Sequence, residues 1–186
     1  MRNVKCTVPF SWFTLPLLFP VVLATDIMDK DLGAARKARW AKAFSEDKVG
    51  SSSIEDINRK ATIVLEHLIQ ASDVAHTMQH WHVFLTWNEK LFCEMYQAYK
   101  AGRIDKDPSE FWYEGETGFF DFYVIPLAKK LKECGVFGVS SDEYLGYALA
   151  NRAEWKAKGQ EVVERYIARH VVCNLEDDEH HSIRRI

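Results

Sequence analysis

Apolar positions recur at helical intervals along most of the chain. Ile54, Ile57, Ala61, Val64, Leu68 and Ala71 repeat three or four apart, as one face of a helix does at about 100° per residue. Gly50 to Ser53 breaks the chain before them, and Ser53 with Asp56 forms a capping-box pattern that opens this helix. A second helix is predicted from near Trp81 to Gly102, with Phe84, Trp87, Leu91, Met95 and Ala98 on a core face and the glycine as its stop. Residues 103 to 118 hold Asp107-Pro108, Gly115 and Gly118 and read as a loop, with an aromatic run at Phe111, Trp112 and Tyr113.

A third helix carries Phe119, Phe120, Tyr123, Val124, Leu127 and Leu131, with a kink expected at Pro126 and a stop at Gly135. Ser140 and Glu143 repeat the capping-box pattern. They open a long helix through Tyr144, Ala148, Asn151, Trp155, Val162, Val163, Tyr166 and Ile167, in which Gly159 is the weak point. Between residues 27 and 50, Ala34, Ala38, Trp40, Ala41 and Phe44 permit one weakly amphipathic, basic helix. No alternating strand pattern, hairpin signal or internal repeat occurs. The predicted class is all-α, a compact multi-helix domain.

A chain of 186 residues that is 47% hydrophobic has enough apolar surface for one core. A net charge of -3, with Lys and Arg scattered among acids, supplies no field for a nucleic-acid backbone and excludes nucleic acid as an expected partner. Cys6, Cys93, Cys134 and Cys173 form no C-x-x-C pair and suit a reducing, cytoplasmic setting. The first residues complicate that assignment. Arg2 and Lys5 precede an apolar run from Cys6 to Ala24 interrupted by Pro9, Pro16 and Pro20, with Val22 and Ala24 spaced like a cleavage site. Residues 1–19 are therefore an apolar leader with three readings: a secretory signal, a membrane anchor, or translation from a wrongly chosen start codon. The tail, residues 171–186, is polar.

The most unusual single position is Asp73. It lies four and eight residues beyond Ile69 and Leu65, so the periodicity puts a carboxylate on an apolar stripe. It is also expected near a helix C-terminus, where the dipole disfavours negative charge. A bound metal would compensate it; so would a turn-closing hydrogen bond or a basic partner, and the pattern alone leaves these open. His76, His80 and His82 cluster just downstream, but a turn there breaks the i, i+4 geometry of a shared metal. Glu114, Glu116 and Asp121 flank a helix start, where acids are favoured without any catalytic purpose.

Taken together, Ala71-Ser72-Asp73-Val74-Ala75-His76, Trp87, the run Gly115 to Phe122 and Ile125-Pro126-Leu127 resemble the second half of the cyclic nucleotide phosphodiesterase catalytic domain, an HD-type helical fold. Leu23-Ala24-Thr25-Asp26 resembles that family's L-A-T-D segment, so the likeness spans roughly residues 20–165, within a partial catalytic domain expected over 20–170, and the wording is nearest to microbial and algal members. The resemblance implies hydrolysis of 3',5'-cyclic AMP or cyclic GMP to the 5'-nucleotide by a water held between two divalent metals, one zinc-like and one magnesium. It implies that Asp73 is a metal ligand, that Phe119 stacks on the base, and that Glu116, Trp87 and His76 bind substrate.

Two departures stand out. Glu116 occupies the place of a purine-reading glutamine, and an ionised carboxylate accepts hydrogen bonds but cannot donate them. The family's H-N-x-x-H and H-D motifs, which carry the general acid and the other metal ligands, are not in these 186 residues, so no catalytic residue is expected here. The expectation is thus a partial catalytic domain holding the base pocket and at most one metal ligand. The alternative is a non-catalytic helical module that binds nucleotide or protein. In either case apolar surface left uncovered would favour self-association.

Overall fold

The computed structural model describes residues 30–44, 53–135 and 137–172, which are all-helical, with no strand among them. The apolar leader and the tail beyond Val172 lie outside the described residues. None of the described helices is long and apolar enough to cross a membrane. The chain divides into two compact units at Asp73 and Val74.

The first unit contains α1 (Lys30–Phe44) and α2 (Ile54–Asp73). The capping box forms: Ser53 Oγ accepts from the Asp56 N–H at 3.2 Å and donates to its carboxylate at 3.1 Å. α2 does not bury the predicted stripe. Its buried positions are Ile63, Glu66, His67 and Gln70, while Ile54 and Ile57 are exposed. The cause is on α1, where Arg39 donates through both Nη1 and Nη2 to the Glu66 carboxylate, at 2.9 and 2.7 Å. Beside this fork, Trp40 packs at 4.6 Å on the His67 ring and at 4.4 Å on Phe44. Polar side chains with specific partners therefore decide which face turns inward.

The second unit opens with a 3-10 turn, Ala75–Met78, and continues with α3 (Trp81–Lys100), α4 (Trp112–Phe119), α5 (Ile125–Glu133) and α6 (Ser140–Tyr166). α3 ends as predicted. Gly102 has φ +67°, its N–H reaches the Tyr99 carbonyl at 2.9 Å, and the Arg103 N–H reaches Ala98 at 2.9 Å, the paired closure of a Schellman stop. Its buried stripe, however, is Phe84, Asn88, Phe92 and Tyr96, one position round from the predicted one, and Trp87 and Leu91 are half exposed.

The segment read as an aromatic loop up to residue 118 is helical from Trp112. Gly115 and Gly118 are helix formers of low propensity, overridden here by the burial of Trp112 and by a hydrogen bond from Trp155 Nε1 to the Tyr113 carbonyl at 3.1 Å. α4 runs through a widened π turn, Phe120–Val124, into α5. Pro126 has no N–H to give the preceding turn. The π turn, in which the Ile125 N–H reaches back to the Phe120 carbonyl, sits immediately before it. At α6 the expected capping box is not made: the helix begins at Ser140, with Val139 in the capping position and no side-chain cap bond. The apolar stripe of α6 is as predicted, with Ala148, Asn151, Trp155, Val162, Val163 and Tyr166 all buried.

Candidate functional site

α3 places one polar side chain within an aromatic stripe. Asn88, 2% exposed, stands one turn from both Phe84 and Phe92, each fully buried. A buried amide needs partners for its carbonyl and its NH2. The carbonyl accepts from Trp112 Nε1 at 3.1 Å. An indole N–H can only donate, so this bond fixes the amide's orientation and leaves its NH2 as the other face. Glu116 lies one turn along α4 from Trp112.

Glu116 retains partial solvent exposure, yet protein surrounds its carboxyl on most sides. Burial pushes its pKa up to about 7, and the nearby Asn88 amide only partly opposes that rise. No cation among the described residues draws it down. The Tyr166 hydroxyl donates to the Leu85 carbonyl at 3.1 Å; burial, and less strongly the charges of Glu89 and Glu116, push its pKa well up. Phe92 joins these groups, its ring 5.2 Å from Trp112 and 5.5 Å from Tyr166.

The other residues expected to bind substrate also lie in the second unit. Phe119 follows Glu116 by three positions, on the same side of the helix, and stacks on Tyr123 at 5.3 Å with the planes 21° apart. Trp87 precedes Asn88, is 52% exposed, and carries Lys90 Nζ 4.5 Å over its ring. His76 lies 6.5 Å from the Trp87 ring, and burial holds its imidazole below the usual histidine range. The turn that carries His76 is clamped from α6, where Asn151 donates to the carbonyls of Thr77 and Gln79 at 2.9 and 2.8 Å. His80 hydrogen-bonds the Tyr147 hydroxyl at 3.0 Å and lies face to face with His82.

Asp73 is the last residue of α2, in the first unit, and is exposed. Leu65, on its stripe, is 40% exposed. The desolvation argument for a counter-charge therefore does not apply to it in this fold. Among the described residues no group of three or more His, Cys, Asp or Glu could hold a metal ion. The donor set for a two-metal centre is not assembled by these residues.

Glu116 and Phe119 are candidates from the sequence, whereas the Asn88–Trp112 and Tyr166–Leu85 hydrogen bonds that tie α3 to α4 and α6 are seen only in the fold. The available signal was Asn88 itself, a polar residue on the i, i+4 row between two phenylalanines. The chain matches no protein-family model, no curated protein and no solved structure.

Proposed function

We propose that this chain is the base-binding portion of a cyclic nucleotide phosphodiesterase, contributing recognition of the nucleobase to the hydrolysis of a 3',5'-cyclic nucleotide to its 5'-nucleotide. The observation that carries the reading is the built environment of Glu116. A side chain at the sequence position of a purine-reading amide has its carboxyl largely surrounded by protein with no cation beside it among the described residues, one turn before an aromatic residue, Phe119. A carboxyl placed so costs stability, which a residue serving the fold alone does not offset.

Within this proposal the chain's residues bind and orient. Phe119 stacks on the base, Glu116 contacts its rim, and Trp87 and His76 border the site. Activation of the attacking water and protonation of the leaving oxygen belong to the H-N-x-x-H and H-D groups, and the two-metal centre to ligands beyond Asp73.

Calorimetric titration of the full chain with cyclic AMP and cyclic GMP tests the reading. Stacking on one aromatic ring is worth about 1–3 kcal/mol per base, so Phe119→Ala should weaken binding by about 5- to 100-fold. Absence of binding for both nucleotides would sink the proposal. Binding without hydrolysis, unaffected by Asp73→Ala, identifies the chain as a non-catalytic nucleotide-binding module. Mapping the 5' end of the transcript then decides whether the missing motifs are encoded in frame upstream of Leu23.

A further inference from the structure

We infer that the half-exposed apolar stripe of α3 is a self-association surface, on which two copies of the chain pair antiparallel about a two-fold axis midway between Lys90 and Glu94. The inference does not rest on the base-binding reading.

α3 carries more apolar side chains than one face can bury. Phe84, Asn88, Phe92 and Tyr96 face the core. Trp87, Leu91, Glu94 and Ala98 follow one another at intervals of four, three and four, the repeat with which one helix lies along another. Trp87 and Leu91 are 52% and 44% exposed, and Glu94 is exposed between Leu91 and Ala98. A large ring and a leucine one turn apart in water form the centre of a contact; charged groups beside them form its rim.

The charges specify the occupant. Lys90 and Glu94 are both exposed and stand one turn apart, in the order that makes the weaker pair within a helix. They do not pair with each other. Lys90 Nζ lies 4.5 Å over the Trp87 ring, and Glu94 has no ion-pair partner among the described residues. A two-fold axis perpendicular to α3 and midway between them brings Lys90 of each copy level with Glu94 of the other, forming the missing pair twice. The same operation carries Trp87 to the level of Gln97 and Ala98, where a methyl side chain leaves room for an indole, and sets the two Leu91 side chains beside the axis. Parallel pairing would set Lys90 level with Lys90 and Glu94 with Glu94, so only the antiparallel arrangement matches charge. A single helix face is smaller than the roughly 800 Å² per partner of a standard interface, and the pair is accordingly weak, with Kd on the order of tens of micromolar. Trp87 also borders the proposed base site, and pairing would cover that border.

Sedimentation velocity of the full chain without nucleotide, from about 5 to about 500 µM, tests this and leaves the base-binding reading untouched either way. The weight-average mass should rise with concentration toward twice that of one chain. Lys90→Glu and Glu94→Lys, each setting like charges together, should each weaken association by about tenfold, and the two combined should restore it. Both positions are exposed, and circular dichroism identical to that of the native protein shows that the variants fold. A chain that stays monomeric throughout the range overturns the inference. Association that the single reversals leave unchanged, or that the double exchange fails to restore, overturns it as well, because the contact then lies elsewhere.

Discussion

Glu66 and Glu116 are both carboxyls removed from water, and the chain compensates them differently. Glu66, 1% exposed, receives the two-pronged bond from Arg39, and burial still outweighs that partner and raises its pKa. Arg39→Ala leaves the carboxylate without its fork. The expected loss is about 2 kcal/mol in urea unfolding at pH 8, below the value for a fully buried pair because Arg39 is 46% exposed. The loss should shrink in acid, where Glu66 protonates. Glu116 has no cation beside it among the described residues, and its linkage has a definite sign. Its folded pKa of about 7 lies above the unfolded value, so the native state keeps a proton that the unfolded chain has released. Stability from this group is complete below about pH 4.5 and is lost as pH rises to about 7, by up to about 3 kcal/mol. His76 acts oppositely: its lowered pKa gives stability that is present above about 6.5 and lost as pH falls through the folded value. Subtracting the unfolding profile of Glu116→Gln from that of the native protein isolates the Glu116 contribution, and a difference independent of pH would refute it. At exposed Asp73, Asp73→Ala should change stability by no more than about 0.5 kcal/mol in the same assay.

At the scale of elements, Gly159 shows how a local signal can mislead. A glycine within a helix is a weak point by propensity, yet α6 passes through it unbroken. The absent side chain makes room: a Cβ there would stand 2.9 Å from both the Trp155 and the Tyr113 rings. Gly159→Ala gains up to about 1 kcal/mol of propensity and must displace those rings, so a net loss of about 1–2 kcal/mol is expected by thermal unfolding. An increase in melting temperature would show that the rings shift freely. The same contrast separates what could be read from the sequence. Helix stops encoded in one residue's backbone freedom, such as Gly102, were legible, as were the Ser53–Asp56 cap and the apolar stripe of α6. The inward faces of α2 and α3 were not, because Glu66 and Asn88 are buried polar residues whose hydrogen-bond partners, Arg39 and Trp112, lie 27 and 24 residues away. α4 read as a loop because its glycines outweighed a burial of Trp112 that only tertiary structure supplies. Asn88 is marked only by its place on the i, i+4 row between Phe84 and Phe92, and its pairing with Trp112, 24 residues on, follows from no local pattern.

Across the whole molecule the two units have unequal internal support. In the second, Phe84 meets Phe120 at 5.3 Å and Trp155 at 5.7 Å, and Phe92 meets Trp112 and Tyr166. Hydrogen bonds from Trp112, Trp155, Asn151 and Tyr166 join α3, α4, α6 and the 3-10 turn across this aromatic core. Opening any one helix there exposes large rings and strands several buried polar groups at once. In the first unit, α1 engages α2 through the Arg39 fork and the Trp40 and Phe44 rings. Among the residues of α1 whose burial is described, Trp40 and Ala43 are buried. Local opening free energy follows the contacts that must be broken, so α1 should open well below the cost of opening α3 or α6. Hydrogen exchange at fixed pH should therefore show α1 amides exchanging, after correction for intrinsic rates, at least about tenfold faster than the centres of α3 and α6. Arg39→Ala should widen that gap by speeding α1 alone. Equal protection in α1, α3 and α6, lost together in the variant, would mean that the chain opens as one cooperative body and that the Arg39 fork supports more than its own helix pair.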